Sequence, residues 1–117
     1  MLDRATIDQL IADIGEDVFL RLSLQFLGET ANRLVALKAA RQAEAWPELA
    51  RHAHSLKSTA QSFGLVETGI LARELQLAAD HLETAQIDAV LPKLLVVTAE
   101  ECAAFHGLRA EMESHGD

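Results

Sequence analysis

The sequence predicts an all-α protein, an antiparallel four-helix bundle with a short additional N-terminal helix. Its 117 residues include two prolines and six glycines, too few for a fold rich in turns. Helix-forming Ala, Leu, Glu, Gln and Arg dominate the composition. Apolar residues recur every three or four positions along the long segments, and the short links between these segments favour antiparallel packing of neighbouring helices.

The predicted helices cover residues 7–14, 17–40, 47–63, 65–82 and 87–112, with a frayed tail at 113–117. Gly15 and Gly64 are predicted to end the first and third helices. The first helix is expected to start near Thr6 or Asp8. Pro92 marks either the true start of the last helix or a kink near it. The length and the lack of a linker predict one domain over residues 1–117.

Two helices have a well-defined apolar stripe that predicts their buried face. The stripe of the second helix is Leu20, Leu24, Leu27, Ala31, Leu34 and Leu37. The stripe of the third helix is Leu49, Ala53, Leu56, Ala60 and Phe63. The mean direction of the third-helix stripe lies about 140° from His54, so His54 is predicted to point largely outward.

Charge and composition exclude several classes of protein. Ten Lys+Arg against eighteen Asp+Glu give a net charge of −8, and with four Phe, one Trp and no Tyr the sequence lacks the features of a nucleic-acid binder. No apolar run reaches the ~18 residues of a membrane span. The single Cys102 cannot form an internal disulfide, and the first residues lack a signal pattern. We expect a soluble cytoplasmic protein.

The third helix carries the strongest functional signal. Lys57, Ser58 and Gln61 share a helical face with His54, and Arg51 lies one turn before it. A neutral imidazole has a nitrogen lone pair that can attack a phosphoryl group, and an ammonium beside it offsets the charge of the phosphoryl oxygens. Small neighbours, Ala50 and Ser58 in our prediction, would let a partner protein approach the ring.

A short His-x-x-Lys pattern is also common by chance, as polar residues on a solvated helix.

The other candidate sites have weaker support in the sequence. The sequence lacks the Glu-x-x-His and His-Glu-x-x-His motifs of metal sites, so no metal is expected. His52 lies about 200° round the helix from His54 and is expected to be exposed. Cys102, beside two alanines, is expected to pack as a small core residue.

The segment from Ala53 to Gly64, AHSLKSTAQSFG, resembles the signature of histidine phosphotransfer (HPt) domains, A-H-x-L-K-(G/S)-(S/T) followed by an apolar residue and glycine. The resemblance is strongest over residues 50–82, and the family fold agrees with the helix count above. It implies that His54 is phosphorylated on Nε2 and that Lys57 stabilises the phosphoryl group. It also implies that Gly64 lets the fourth helix fold back.

The resemblance further suggests that a glutamine on the following helix, here Gln76, bonds Nδ1 of the histidine. Arg51, Ser58 and Gln61 complete the expected binding face. Thr68 stands where the family usually has an apolar residue, which we interpret as a minor packing change. Apolar residues of the first helix, Leu10, Ile11 and Ile14, are candidates for contact with the partner.

The resemblance implies a phosphorelay intermediate and not an enzyme. Its partners would be response-regulator receiver domains and a (hybrid) sensor histidine kinase, in two-component signal transduction. The protein itself is expected to need no cofactor, with Mg²⁺ on the receiver, and to be a monomer. The alternative is a helical interaction module, a pseudo-HPt that docks receivers or kinases without phosphotransfer. A kinase dimerisation domain fits less well, because Ser55 follows the histidine where those domains usually carry an acidic residue.

Overall fold

Five helices form the protein, in a computed structural model that describes residues 1–115. They are α1 (Arg4–Ile14), α2 (Glu16–Gln42), α3 (Trp46–Phe63), α4 (Val66–Asp80) and α5 (Thr84–His115). Helices α2 to α5 each pack against the next helix in the chain, and α5 also contacts α2. Helix α1 packs on α2 and α3. The predicted four-helix bundle with an additional N-terminal helix is confirmed. None of these helices has both the length and the apolar character to cross a membrane.

The first helix starts earlier than the sequence predicts. It begins at Arg4, because Asp3 caps it by accepting hydrogen bonds from the backbone N–H of Thr6 at 3.3 Å and from the Thr6 hydroxyl at 2.8 Å. The predicted start at residue 7, with Thr6 or Asp8 near it, is therefore three residues too late. Gly15 ends it as predicted, and α2 follows at once.

The last helix is longer than predicted at both ends. It begins at Thr84, two turns before Pro92, so the proline lies inside the helix and does not mark its start. It continues through residues 113–115, where we expect a frayed tail. The remaining two residues of that predicted tail, 116 and 117, lie outside the described residues.

The buried residues form two apolar clusters along the bundle. The first surrounds Leu37, Leu49, Leu56, Leu75 and Leu94. The second contains Ile7, Phe19, Phe26, Leu65 and Phe105, and the partly buried Phe63 stacks on Phe26 with ring centroids 4.2 Å apart. All four phenylalanines of the sequence therefore meet in one cluster.

The predicted apolar stripe of α2 is correct in part. Leu27 and Leu37 are buried, but Leu24 is 58% exposed and Ala31 is exposed. The helix instead buries Phe19, Ser23, Phe26 and Thr30. The buried face of α2 predicted from leucine spacing alone is therefore partly wrong, because aromatic and hydroxyl side chains also occupy core positions.

The turn between α3 and α4 is built on Gly64. Its φ of +79° lies in the left-handed region, and its carbonyl accepts from the N–H of Asp3 at 2.8 Å. A Cβ at this position would lie 2.9 Å from the Asp3 carbonyl oxygen and 3.0 Å from Cγ1 of Ile7. The glycine thus ends α3 and lets the N-terminal segment pack directly on the turn.

A buried carboxylate caps the start of α4. Glu101 of α5, 2% exposed, accepts from the backbone N–H groups of Glu67 and Thr68 at 3.1 and 2.7 Å, and from the Thr68 hydroxyl at 2.6 Å. The amino group of Met1 also donates to it at 2.8 Å. Burial alone raises the pKa of Glu101, but these hydrogen bonds outweigh it and leave the pKa lowered. Thr68 is therefore part of a buried polar cluster, and our interpretation of it as a minor packing change is wrong.

We expect Glu101→Gln to reduce the free energy of unfolding at neutral pH by about 2 kcal/mol, because the amide turns one acceptor oxygen into a donor that faces N–H groups. The folded state holds the pKa of Glu101 below its unfolded value. The carboxylate therefore stabilises the fold above pH ~4.3 and loses this effect as the pH falls through the folded pKa.

Urea unfolding of wild type and Glu101→Gln between neutral pH and pH 3 tests this prediction. The difference between the two proteins is expected to shrink as the pH falls. Glu100→Gln, at the exposed neighbouring position, serves as the control and is expected to give little difference at any pH. A Glu101→Gln effect that stays constant with pH would contradict the assigned role of the charge.

Candidate functional site

Helix α3 presents the candidate site on its outer face. Pro47 occupies its first turn, Gly64 caps its end, and Leu49, Ala53, Leu56 and Ala60 are buried as predicted. His54 is exposed on the opposite side, as its position relative to this stripe predicts. Ala50, one turn before His54, is small and packs in the core at 8% exposed, and that it leaves room for a partner beside the ring stays a prediction.

A hydrogen bond across the two central helices orients the His54 ring. Nδ1 of His54 lies 3.2 Å from the side-chain carbonyl oxygen Oε1 of Gln76 on α4. A carbonyl oxygen can only accept, so Nδ1 carries the proton and donates. In the neutral ring this leaves the lone pair on Nε2, the outer nitrogen, free to attack an electrophile.

The other predicted site residues lie along the same face. Lys57, one turn after His54, is half-buried and not fully exposed, and it forms no ion pair with any residue in the range 1–115. Arg51, Ser58 and Gln61 are exposed. Gly64 lies in the turn at the end of the helix and contributes no side chain to this face.

The second histidine of α3 has a different hydrogen-bond environment. Nη1 of Arg33 on α2 donates to Nδ1 of His52 at 2.9 Å. Burial, together with the charges of Arg33 and Arg51, lowers the pKa of His52. With Nδ1 accepting, the proton of the neutral ring is on Nε2, so His52 has no free lone pair. The prediction that His52 is simply exposed is wrong, since it is half-buried and links α2 to α3.

Two further predictions concern residues outside this face. Cys102 is half-buried against the second cluster, as expected of a packing residue, and burial raises the pKa of its thiol to about 11. Leu10, Ile11 and Ile14 of α1 are also half-buried against that cluster, which leaves them little surface for a partner.

Within residues 1–115, no three His, Cys, Asp or Glu side chains are grouped as metal ligands.

The fold is that of a histidine phosphotransfer domain. The sequence model of the Hpt domain matches residues 21–114, and the chain therefore belongs to the Hpt domain family. Members of this family carry phosphoryl groups, are not themselves enzymes, and work with receiver domains in two-component phosphorelays.

The chain is similar in structure to histidine-containing phosphotransfer protein B from Pseudomonas aeruginosa PAO1, known from a crystal structure. The TM-score is 0.89 at 26% sequence identity, and the match covers 94% of this chain and 95% of the other. No curated protein sequence matches the chain.

Proposed function

We propose that this protein is a phosphorelay intermediate that accepts a phosphoryl group on Nε2 of His54 from the aspartyl phosphate of one receiver domain and passes it to another. The observation that carries the proposal is the hydrogen bond from Nδ1 of His54 to Gln76, which leaves Nε2 free on an exposed ring. Membership in the Hpt domain family supports it.

The proposed transfer conserves atoms and charge in one displacement. The Nε2 lone pair of His54 forms a bond to phosphorus as the phosphorus–oxygen bond to the receiver's aspartate breaks, and the carboxylate leaves with that electron pair. The ring, still protonated on Nδ1, gains positive charge during the attack. The Gln76 carbonyl therefore stabilises the transition state more than the ground state. The reverse displacement transfers the phosphoryl group to a second receiver.

The remaining face residues support binding of the transferred group. Lys57 lies where its ammonium can approach the phosphoryl oxygens, and Arg51 adds a cation one turn before the histidine. Ser58 and Gln61 continue this face towards the end of α3. The Mg²⁺ needed for phosphoryl transfer would belong to the receiver, and a sensor kinase would charge that receiver.

Incubation with a receiver charged on its aspartate tests the proposal. We expect label to move to this protein, to be labile in acid and stable in base, and to map to the peptide that contains His54 by mass spectrometry. Unlabelled receiver added afterwards should remove it. A protein that binds charged receivers but takes no label would be the pseudo-HPt interaction module, and the proposal would be wrong.

Lys57→Ala is expected to slow transfer from the receiver by about tenfold, because it removes a cation that offsets charge in the transition state. Little change is expected in urea unfolding, because no ion pair of Lys57 within residues 1–115 is lost. Lys93→Ala, an exposed lysine of α5, is the matched control. An equal slowing by both variants would show a general charge effect and contradict the specific role.

Gln76→Leu is expected to slow transfer by about tenfold, because it removes the acceptor that keeps the proton on Nδ1. Gln76→Glu keeps an acceptor oxygen at this position and should retain most of the rate. Nitrogen-15 NMR of the His54 ring separates positioning from a structural effect. The wild type should have its proton on Nδ1, and Gln76→Leu should move it towards Nε2; an unchanged ring tautomer would contradict this role.

A further inference from the structure

The line along which α3 and α4 pack, here called the seam, has a fixed register. His54 lies against Gln76, and Gln61 lies against Gly69, where a Cβ would be 3.5 Å from Cγ of Gln61. The two helices run in opposite directions, and the same register places Lys57 level with Arg73. The exposed Arg73 therefore adds a cation on α4 to Lys57 and Arg51 of α3 beside the candidate site.

An apolar surface borders this seam on its α4 side. Val66, Ile70 and Leu77 recur at helical spacing and form the α4 stripe. Their exposed fractions are 38%, 55% and 45%. A row of exposed apolar side chains on one helix face can serve as a contact surface for another molecule.

A groove of about 280 Å³ lies between the stripe and the seam. Ile70 and Val66 line its α4 side, Gln61 its α3 side, and Arg73 lies at the end nearer to His54. Asp3 and Thr6 of the N-terminal segment lie at the other end. The groove is mostly apolar and has a guanidinium on the side towards the candidate site.

We propose that this groove and the α4 stripe dock the receiver domain that exchanges phosphoryl groups with His54. This inference rests on the function proposed above. A standard protein–protein interface covers about 800 Å² on each partner, a disc of about 16 Å radius. Gln61 lies seven residues from His54, or about 10 Å along the helix, so a receiver centred on His54 covers the groove.

Charge and burial favour this side of the molecule. A charged receiver presents an anionic aspartyl phosphate, whereas this protein has a net charge of −8. Lys57 and Arg73 place cations along the seam and thereby offset that repulsion locally. The alternative apolar surface on α1 is half-buried against the core, so the α4 stripe has the larger free apolar area.

Two phosphodonors separate docking from chemistry at His54. The charged receiver needs a docking surface, whereas phosphoramidate is a small molecule and needs none. Ile70→Glu is expected to lower the rate of transfer at low receiver concentration by about tenfold and to leave labelling by phosphoramidate unchanged. Arg73→Gln is expected to lower the receiver reaction by about threefold, with a weaker dependence on salt.

Val96→Glu is the matched control, since Val96 on α5 is 58% exposed, against 55% for Ile70, and lies away from the seam. Circular dichroism establishes that each variant keeps its helical content. Equal receiver rates for Ile70→Glu and Val96→Glu would overturn this docking surface and leave the proposed function standing. Loss of labelling from both donors in Ile70→Glu would also overturn it, because a docking residue does not act on a small donor.

A wild-type protein that takes no label from any charged receiver would overturn the proposed function itself, and this docking surface with it. The two failures are distinguishable, because the first appears only in the variant and the second in the wild type.

Discussion

His54→Gln is expected to take no phosphoryl label from a charged receiver, a loss limited only by the sensitivity of the assay. The physical reason is that glutamine has no nitrogen lone pair able to attack phosphorus, because the amide nitrogen is conjugated with its carbonyl. His54 is exposed, so the variant should unfold in urea at the same concentration as wild type. Label transfer followed on gels, with helicity by circular dichroism, measures both properties.

His52→Gln is the matched control for this experiment. It removes an imidazole from the same helix, two residues away, but the ring it removes has Nδ1 occupied by Arg33 and its proton on Nε2. We therefore expect labelling close to wild type and a small loss of stability from the broken link to α2. Label lost in His52→Gln and retained in His54→Gln would show that His52 is the phosphorylated residue and would contradict the assignment to His54.

Gly64→Ala is expected to lower the free energy of unfolding by about 2–4 kcal/mol, which is a large part of the stability of a small protein. Two costs combine. A non-glycine residue is strained at a φ of +79°, and the new methyl group would lie 2.9 Å from the Asp3 carbonyl oxygen. Urea unfolding measures the loss, and the N-terminal segment that packs on this turn should become more accessible to proteases.

Gly28→Ala is the same substitution at a position where we expect the opposite effect on stability. Gly28 lies in the middle of α2, and a Cβ there has no neighbour within 4 Å. Alanine at this position should stabilise the protein by about 0.5–1 kcal/mol, because it restricts the unfolded chain and favours the helix. If both variants lose stability equally, the conformation of Gly64 is not the cause of its effect.

The helices and the outward position of His54 could be predicted because both depend on local spacing. The apolar stripe of α3 is nearly complete, so the face opposite to it is well defined. The contact between His54 and Gln76 depends on two helices, so local spacing does not predict it, whereas the resemblance to a family does.

The polar interactions between distant segments could not be predicted in this way. Glu101 caps α4 from a position 33 residues further along the chain than Thr68, and a glutamate in a helix is expected to be exposed. The link between Arg33 and His52 was missed for the same reason. The cap at Asp3 had a local signal that the predicted start at residue 7 left unused, because aspartate is among the residues preferred just before the first turn of a helix.

The half-buried thiol of Cys102 has a practical consequence. Because burial raises its pKa to about 11, maleimide dyes will react with it slowly at neutral pH. A cysteine introduced at an exposed position, such as Glu74→Cys on α4, can therefore be coupled to a fluorophore without first removing the native one. The emission of that dye would follow the arrival and departure of a binding partner in real time.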